Sequence, residues 1–450
     1  MSRILFRDVA CIATLDAQGR ELSSGWLVAE DGRIAALGEG SPPVGSFAEV
    51  VDGRDRVMIP GMVNTHHHLY QNLFRATPGA ADRKLFDWLT FLYPRWAGID
   101  EEAVYLSTVV GCMELVLSGC TTTVDHLYLF PRGRGRLIDV EVEAAAEVGI
   151  RFHPTRGAMS LSRDDGGLPP PEVVQSPDEI LADTERLIRD HHDPAFGSMI
   201  RVGLAPCSPF SVTPQLMRDA AALARERGVR LHTHLAETLD EEEFCLRRFG
   251  KRPTDYLDEL GWLAPDVWLA HLVHVSPQDV RRLAAAGVGM AHCPSSNMLL
   301  GSGIAPVVDM LDAGVAVGLG VDGSASNDAA NMVREARQAM LLARVRYGAE
   351  AMPARRALGL ATVGGARVLG RQEELGSLEV GKCADLVMFD LSALEFAGAA
   401  DPVAAVLHCG AQYADLVMIN GRILVRDGRL VDERLQKHVA RHRALAARLR

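Results

Sequence analysis

Two periods of hydrophobicity run through the chain, and the points where they change outline its architecture. Over residues 58–371, short apolar runs alternate with amphipathic helical segments. The runs cover 121–125, 150–154, 200–205, 229–234, 267–271, 287–291 and 315–320. The helical segments cover 102–118, 177–191, 213–227, 276–286 and 329–344. Strand-like runs alternating with helices over this length predict an α/β fold, a parallel (β/α)8 barrel of the TIM type. Residues 162–176, with their Gly and Pro content, read as an irregular loop. Residues 69–96 read as an aromatic-rich loop following the first strand.

Outside that region the texture is short strands and turns. Residues 4–15, 25–30, 33–37 and 50–60 are strand-like, with a turn at Asp31-Gly32. Residues 384–390 and 414–422 repeat the texture, followed by the turn Arg426-Asp427-Gly428-Arg429. Neither terminal portion is long enough to build a good core alone, so the two are expected to combine into one small β-sandwich. The expected domains are therefore 1–57 with 372–430, the barrel at 58–371, and a C-terminal surface helix at 431–450.

A net charge of −11 argues against nucleic acid or an anionic membrane as a partner. The eight cysteines are scattered without a Cys-x-x-Cys, which suggests reduced thiols and a cytoplasmic setting. The N-terminus lacks the features of a signal peptide, and no run is long enough to span a membrane. A soluble protein acting on a small molecule is expected.

In such barrels the chemistry sits at the C-terminal ends of the strands, so the polar residues that end the apolar runs carry the functional signal. Pro60-Gly61 leads into His66-His67-His68. In an extended strand, His66 and His68 point the same way, a spacing that suits Zn²⁺ or Fe²⁺. His234 ends another run, with Glu237 three residues on. His271 ends the next, and Asp322 ends a later one between glycines. Two-metal barrels usually need a bridging carbamylated lysine, and none of Lys84, Lys251, Lys382 and Lys437 ends a strand. One metal is favoured, activating water. Asp322 would take the water proton, Glu237 would protonate a ring nitrogen, and His271 would orient the attacking oxygen. Loss of an amine is the natural outcome.

The order Pro-Gly-Met-Val-Asn-Thr-His-x-His, His-x-x-Glu, Ala-His and Gly-x-Asp-Gly-Ser-Ala-Ser-Asn resembles the amidohydrolase superfamily. Within it, the chain resembles the mononuclear-zinc deaminase and chlorohydrolase branch over its full length. Stretches 66–75, 85–89, 154–160 and 205–210 look like those of 8-oxoguanine deaminases. The resemblance implies a barrel with a terminal β-sandwich and a homo-oligomer. It implies His66, His68, His234 and Asp322 as ligands of one divalent ion, with Glu237 and His271 as proton-transfer and orienting residues.

Other polar residues have blander readings. His67 should face away from the metal, and His232, deeper in its strand, should support a ligand. Asp125-His126 reads as a second layer, His274 as a weaker alternative to His271, Cys293 as a small buried residue, and residues 190–193 as a solvated helix end. For the substrate, Gln71 offers a donor and an acceptor to an amide-like ring edge, Trp88 a stacking face, and Arg156 a partner for an oxygen. These suit a flat heteroaromatic ring, and the resemblance implies 8-oxoguanine deamination, giving urate and ammonia. The alternative is an aminohydrolase or chlorohydrolase acting on a pterin (isoxanthopterin), an s-triazine or another purine or pyrimidine. A catalytically dead barrel would have lost a ligand, and the cytidine-deaminase fold would need a Pro-Cys-x-x-Cys that is absent.

Overall fold

The structure, a computed structural model describing residues 3–449, closes eight parallel strands into a barrel. The strands are Met62–Asn64 (β1), Cys120–Leu127 (β2), Arg151–Ala158 (β3), Gly203–Pro206 (β4), Leu231–Leu235 (β5), Val267–His271 (β6), Gly289–His292 (β7) and Ala316–Leu319 (β8). Each pairs with its sequence neighbours, and Leu319 opposite Asn64 completes the ring. The strands are buried almost throughout, which is why they appear in sequence as continuous apolar runs rather than alternations.

Helices surround the barrel, and their starts follow capping chemistry. Ser176 and Ser276 form capping boxes with Glu179 and Asp279, and Thr213 caps Pro214–Arg227. The last large barrel helix runs Met332–Tyr347, later than 329–344, because Asn331 supplies its cap through Arg334 N–H at 3.0 Å. Residues 162–176 are irregular apart from two short turns, Arg163–Asp165 and Pro171–Val173.

Residues 69–96 depart from the loop expected there. A 3₁₀ turn, Leu69–Phe74, and an α-helix, Leu85–Trp96, occupy much of the segment. The helix buries Leu85, Trp88, Leu89, Leu92, Tyr93 and Trp96, spaced three and four apart on one face. The aromatics that suggested a binding loop are largely this packed face, and Pro94 is tolerated near its C-terminus.

Strands from both chain ends form one nine-stranded mixed sheet. Its central joint is antiparallel pairing of Arg56–Pro60 with Leu386–Asp390. One face, with Val57, Ile59, Val387 and Phe389, joins the barrel core, while the other gathers Phe6, Leu27, Ile34, Met58, Met388 and Met418. The sheet curls until Arg33 bridges Cys383, so its own strands enclose that second core. A buried ion pair between Arg151 of β3 and Asp385, at 3.1 Å, ties sheet to barrel. The C-terminal helix, Gln436–Leu449, buries one face and reaches the active end of the barrel, where His442 Nε2 meets Asn72 Oδ1 at 2.6 Å. No described helix is long and apolar enough to cross a membrane.

Candidate active site

Beyond β1 the chain forms a two-residue strand, His67–His68, which pairs in parallel with Asp322–Gly323. This places the Asp322 carboxylate beside both outer imidazoles, its Oδ1 at 3.4 Å from His66 Nε2 and 3.3 Å from His68 Nε2. Ala236, His271, Leu272 and Asp322 all have positive φ, between 46° and 74°. Such left-handed backbone costs about 1–3 kcal/mol per non-glycine residue and persists only where the surroundings enforce it. Here it turns the chain sharply at the strand ends, so that Glu237, His271 and Asp322 line one cavity. Gly323 is required by proximity, because a Cβ there would overlap the Gln71 side-chain amide.

Hydrogen bonds fix the tautomers of the three central imidazoles. His68 Nδ1 donates to His126 O at 2.7 Å, and His234 Nδ1 donates to Cys207 O at 2.6 Å. His232 Nδ1 donates to Trp268 O at 2.8 Å, so its Nε2 must accept the Nδ1–H of His66, at 2.7 Å. Each Nε2 of His66, His68 and His234 is therefore a bare lone pair. His68 Nε2 and His234 Nε2 face each other at 3.1 Å, and His66 Nε2 is buried without a partner. Lone pairs converging beside a carboxylate repel one another unless a cation sits among them. The donor set, three neutral imidazoles and one carboxylate, fits a divalent ion of the zinc class. Burial holds all three imidazoles below their usual range, toward the neutral form a metal needs. Burial would raise the Asp322 carboxyl, but His66, His271 and His68 together hold it well down, as a carboxylate.

Glu237 and His271 face this centre. Their Oε2 and Nε2 are 3.5 Å apart, and His271 Nε2 is 3.9 Å from Asp322 Oδ2. Burial, only partly offset by His271, pushes the Glu237 carboxyl up to about 7. His271 Nδ1 is held by Asn297 Oδ1 at 2.9 Å; burial lowers this imidazole, but Glu237 and Asp322 more than compensate and raise it. A carboxyl poised near neutrality beside an oriented imidazole is equipped for proton transfer. The enclosing cavity, about 30 Å³, is roofed by Leu85, Trp88, Leu89, Phe210 and Leu300, with Gln71 and Tyr128 on its walls.

The amidohydrolase family model matches residues 57–424. The chain is 52% identical to an 8-oxoguanine deaminase of Pseudomonas aeruginosa, covering 100% of this chain and 99% of that one. It is 38% identical to a hydroxydechloroatrazine ethylaminohydrolase of a Pseudomonas species, covering 95% and 92%. It superposes on atrazine chlorohydrolase of Arthrobacter aurescens complexed with zinc, with a TM-score of 0.94, 34% identity and 98% and 100% coverage. The chain belongs to the amidohydrolase family.

In this amidohydrolase, His66, His68, His234, Glu237, His271 and Asp322 come together at one point, and Gln71 and Trp88 line the same cavity. Arg156 does not join them. Its guanidinium is spent on Asp183 at 2.6 Å, on Gln175 at 2.8 Å and on the Phe130 ring, so the expected substrate contact is instead a buried brace for β3. His274 binds Ser302 O at 2.8 Å, outside the cavity lining. His67 is buried, its Nδ1 accepting the His68 N–H at 2.8 Å. Residues 190–193 form a partly solvated helix end, with Asp190 and Asp193 exposed, while the half-buried His191 pairs with Asp139 and His192 accepts Val202 N–H at 3.1 Å.

Three further residues contribute, His126 from the expected second layer, Cys293 as the expected small buried residue, and Glu241 with no sequence signal. His126 donates through Nε2 to Ala205 O, leaving a buried Nδ1 lone pair in the histidine cluster. Cys293 lies within metal-ligand reach of His66, His271 and Asp322, though burial keeps its thiol protonated. Glu241 accepts the Ala236 and Glu237 N–H groups, both at 2.9 Å, and fixes the loop that carries Glu237.

Proposed function

We propose that this amidohydrolase removes the exocyclic amine of an oxidised aminopurine, 8-oxoguanine first, yielding urate and ammonia. The coarser activity, metal-dependent hydrolytic deamination, follows from family membership and from the site itself. The observation that carries it is the meeting of three Nε2 lone pairs with Asp322, Glu237 and His271 at one cavity. The 52% relative that deaminates 8-oxoguanine supports the choice of ring.

His66, His68, His234 and Asp322 would hold one ion; Zn²⁺ suits the donors, and Fe²⁺ is a close second. None of the four lysines lines the cavity, which supports a single ion. When bound, the ion supplies Lewis acidity, lowering the pKa of water toward about 7. Asp322 accepts the proton that water gives up as its oxygen adds to the amine-bearing carbon. Glu237 gives its proton to the adjacent ring nitrogen, and His271 orients the adding oxygen. As the C–N bond breaks, the amine leaves with the proton returned by Asp322 and the added oxygen passes its remaining proton to Glu237, so ring plus water becomes oxo-ring plus ammonia and both carboxyl groups are restored. Gln71 pairs with the amide-like edge of the ring, and Trp88 covers its face.

A cavity of about 30 Å³ is water-sized. Admitting a bicyclic ring therefore requires side chains of this lining, Leu85, Trp88 and Leu89 among them, to move aside. A pterin or hydroxylated s-triazine is the second reading, favoured by the 38% relative that acts on a hydroxylated triazine derivative. Ammonia release by metal-loaded protein distinguishes them, tested on 8-oxoguanine, guanine, isocytosine, isoxanthopterin and a hydroxylated aminotriazine. A kcat/KM of about 10⁴ M⁻¹s⁻¹ or more on 8-oxoguanine alone supports the proposal. Turnover of the pterin or triazine with silence on purines overturns it.

A further inference from the structure

The opposite mouth of the barrel holds a second, larger cavity of about 230 Å³. It opens between the N-terminal ends of β3 to β6 and is lined by His153, His192, Arg201, Arg230 and Trp268, with no Asp or Glu among its described lining residues. The hydrogen bonds fix what these side chains present. Arg371 Nη1 donates to His153 Nε2 at 3.1 Å, and an arginine cannot accept, so His153 carries its hydrogen on Nδ1. Val202 N–H donates to His192 Nδ1 at 3.1 Å, so His192 carries its hydrogen on Nε2. Thr155 gives its hydroxyl hydrogen to Asp125 O, at 2.8 Å. The Arg230 side chain makes no hydrogen bond to any described residue, and its Nε is buried without a partner. The histidines and arginines of this lining thus present donors and no acceptor.

The surrounding acids are already committed. Glu374 serves Arg201 at 2.7 Å, the Gly197 N–H at 2.9 Å and Arg371. Asp193 accepts from Ala195 N–H and Asp266 from Arg225. Burial dominates the titration of the groups lining this pocket. Burial pulls Arg230 down to about 10, with only Asp266 opposing, and burial plus the charges of Arg371, Arg201 and Arg151 keeps His153 neutral. A chain of net charge −11 thus concentrates unpaired donors in one pocket. The missing complement is negative charge spread over several acceptor oxygens.

We propose that this mouth binds a small oxyanion, a phosphate or carboxylate group on a compact organic molecule, gripped by Arg230 with His153 and His192. The test is calorimetric titration of the metal-loaded protein at matched ionic strength with inorganic phosphate, ribose 5-phosphate and citrate. Saturable binding is expected from at least one probe. Arg230→Gln should weaken it by about tenfold or more, the loss of a charged hydrogen bond, and Arg230→Lys should restore part of that. His192→Gln, which leaves the guanidinium in place, should weaken it less and guards against a misfolded Arg230 variant. Preference for ribose 5-phosphate over citrate assigns a phosphate ester, and the reverse a polycarboxylate. Absence of saturable binding by all three at millimolar concentration overturns the proposal. So does binding that both Arg230→Gln and His192→Gln leave unchanged, since that places the anion elsewhere.

Discussion

Replacing His232 with Phe tests the tautomer lock behind the metal site. His232 lies flat on Trp268, ring centroids 4.4 Å apart and planes 11° apart, and a phenyl ring keeps that stack. What is lost is the acceptor for His66 Nδ1–H, now met at 2.7 Å, together with the donor to Trp268 O at 2.8 Å. Without the acceptor, metal-free His66 can move its hydrogen to Nε2, where Asp322 Oδ1 at 3.4 Å receives it. The free protein therefore recovers most of that first loss. Binding a metal must then drive that hydrogen back to Nδ1, where it finds no partner in the interior. An unsatisfied buried donor costs about 1–3 kcal/mol, about 5- to 150-fold in an equilibrium constant. That matches the cost usual for removing groups that orient metal ligands. Competition with a chromogenic chelator should show metal affinity weakened over this range. The thermal unfolding midpoint of the metal-free variant should fall by a few degrees, the loss of the bond to Trp268 O at about 0.5–1.5 kcal/mol. Affinity within twofold of wild type would mean that the hydrogen bond does not set the His66 tautomer, and the lone-pair argument would fail.

Glu237→Gln should retain the ion and lose about 10²–10⁴ in kcat. Wild-type kcat/KM should fall as pH rises through about 7, because Glu237 must hold a proton to donate it; a variant with the same alkaline limb would assign that limb to another group. Gly323→Ala should push aside the Gln71 amide that its new Cβ overlaps, raising KM by about 2- to 12-fold, one hydrogen bond's worth. Unchanged KM would remove Gln71 from substrate binding. Beneath the site, Asp125 and Glu141 are buried carboxyls in contact, Asp125 raised to about 7 and Glu141 well above 4.5, in both cases chiefly by burial. The folded state thus holds a proton that the unfolded chain releases, so stability is greatest below about pH 4 to 5 as far as this pair is concerned and declines as pH climbs toward the folded values. Glu141→Gln should flatten that decline in urea unfolding between about pH 5 and about pH 8; an unchanged slope would place the proton elsewhere.

Much of the site could be read because the barrel concentrates function at strand ends. His66 and His68 share a face through their spacing, and His234, His271 and Asp322 each close an apolar run. What escaped depends on contacts between distant residues. Arg156 looked like a substrate ligand because its partners, Asp183 and Gln175, come from later segments that the sequence does not bring to it. The helix at Leu85–Trp96 was masked by its aromatic content and Pro94, although its apolar positions keep helical spacing. Glu241 acts on two backbone N–H groups, partners that leave no mark in a sequence, whereas His126 was legible as a second layer although the carbonyl it holds was not. His192 likewise gained meaning only when folding set it against Val202 and beside Arg230.

The most direct test of the account is metal-edge X-ray absorption, with elemental analysis, on protein reconstituted with Zn²⁺. The account predicts one tightly held ion per chain, with three imidazole nitrogens and a carboxylate oxygen at about 2.0–2.2 Å, and loss of one nitrogen scatterer in His234→Ala. Two ions per chain, or a sulfur at about 2.3 Å contributed by Cys293, would contradict it.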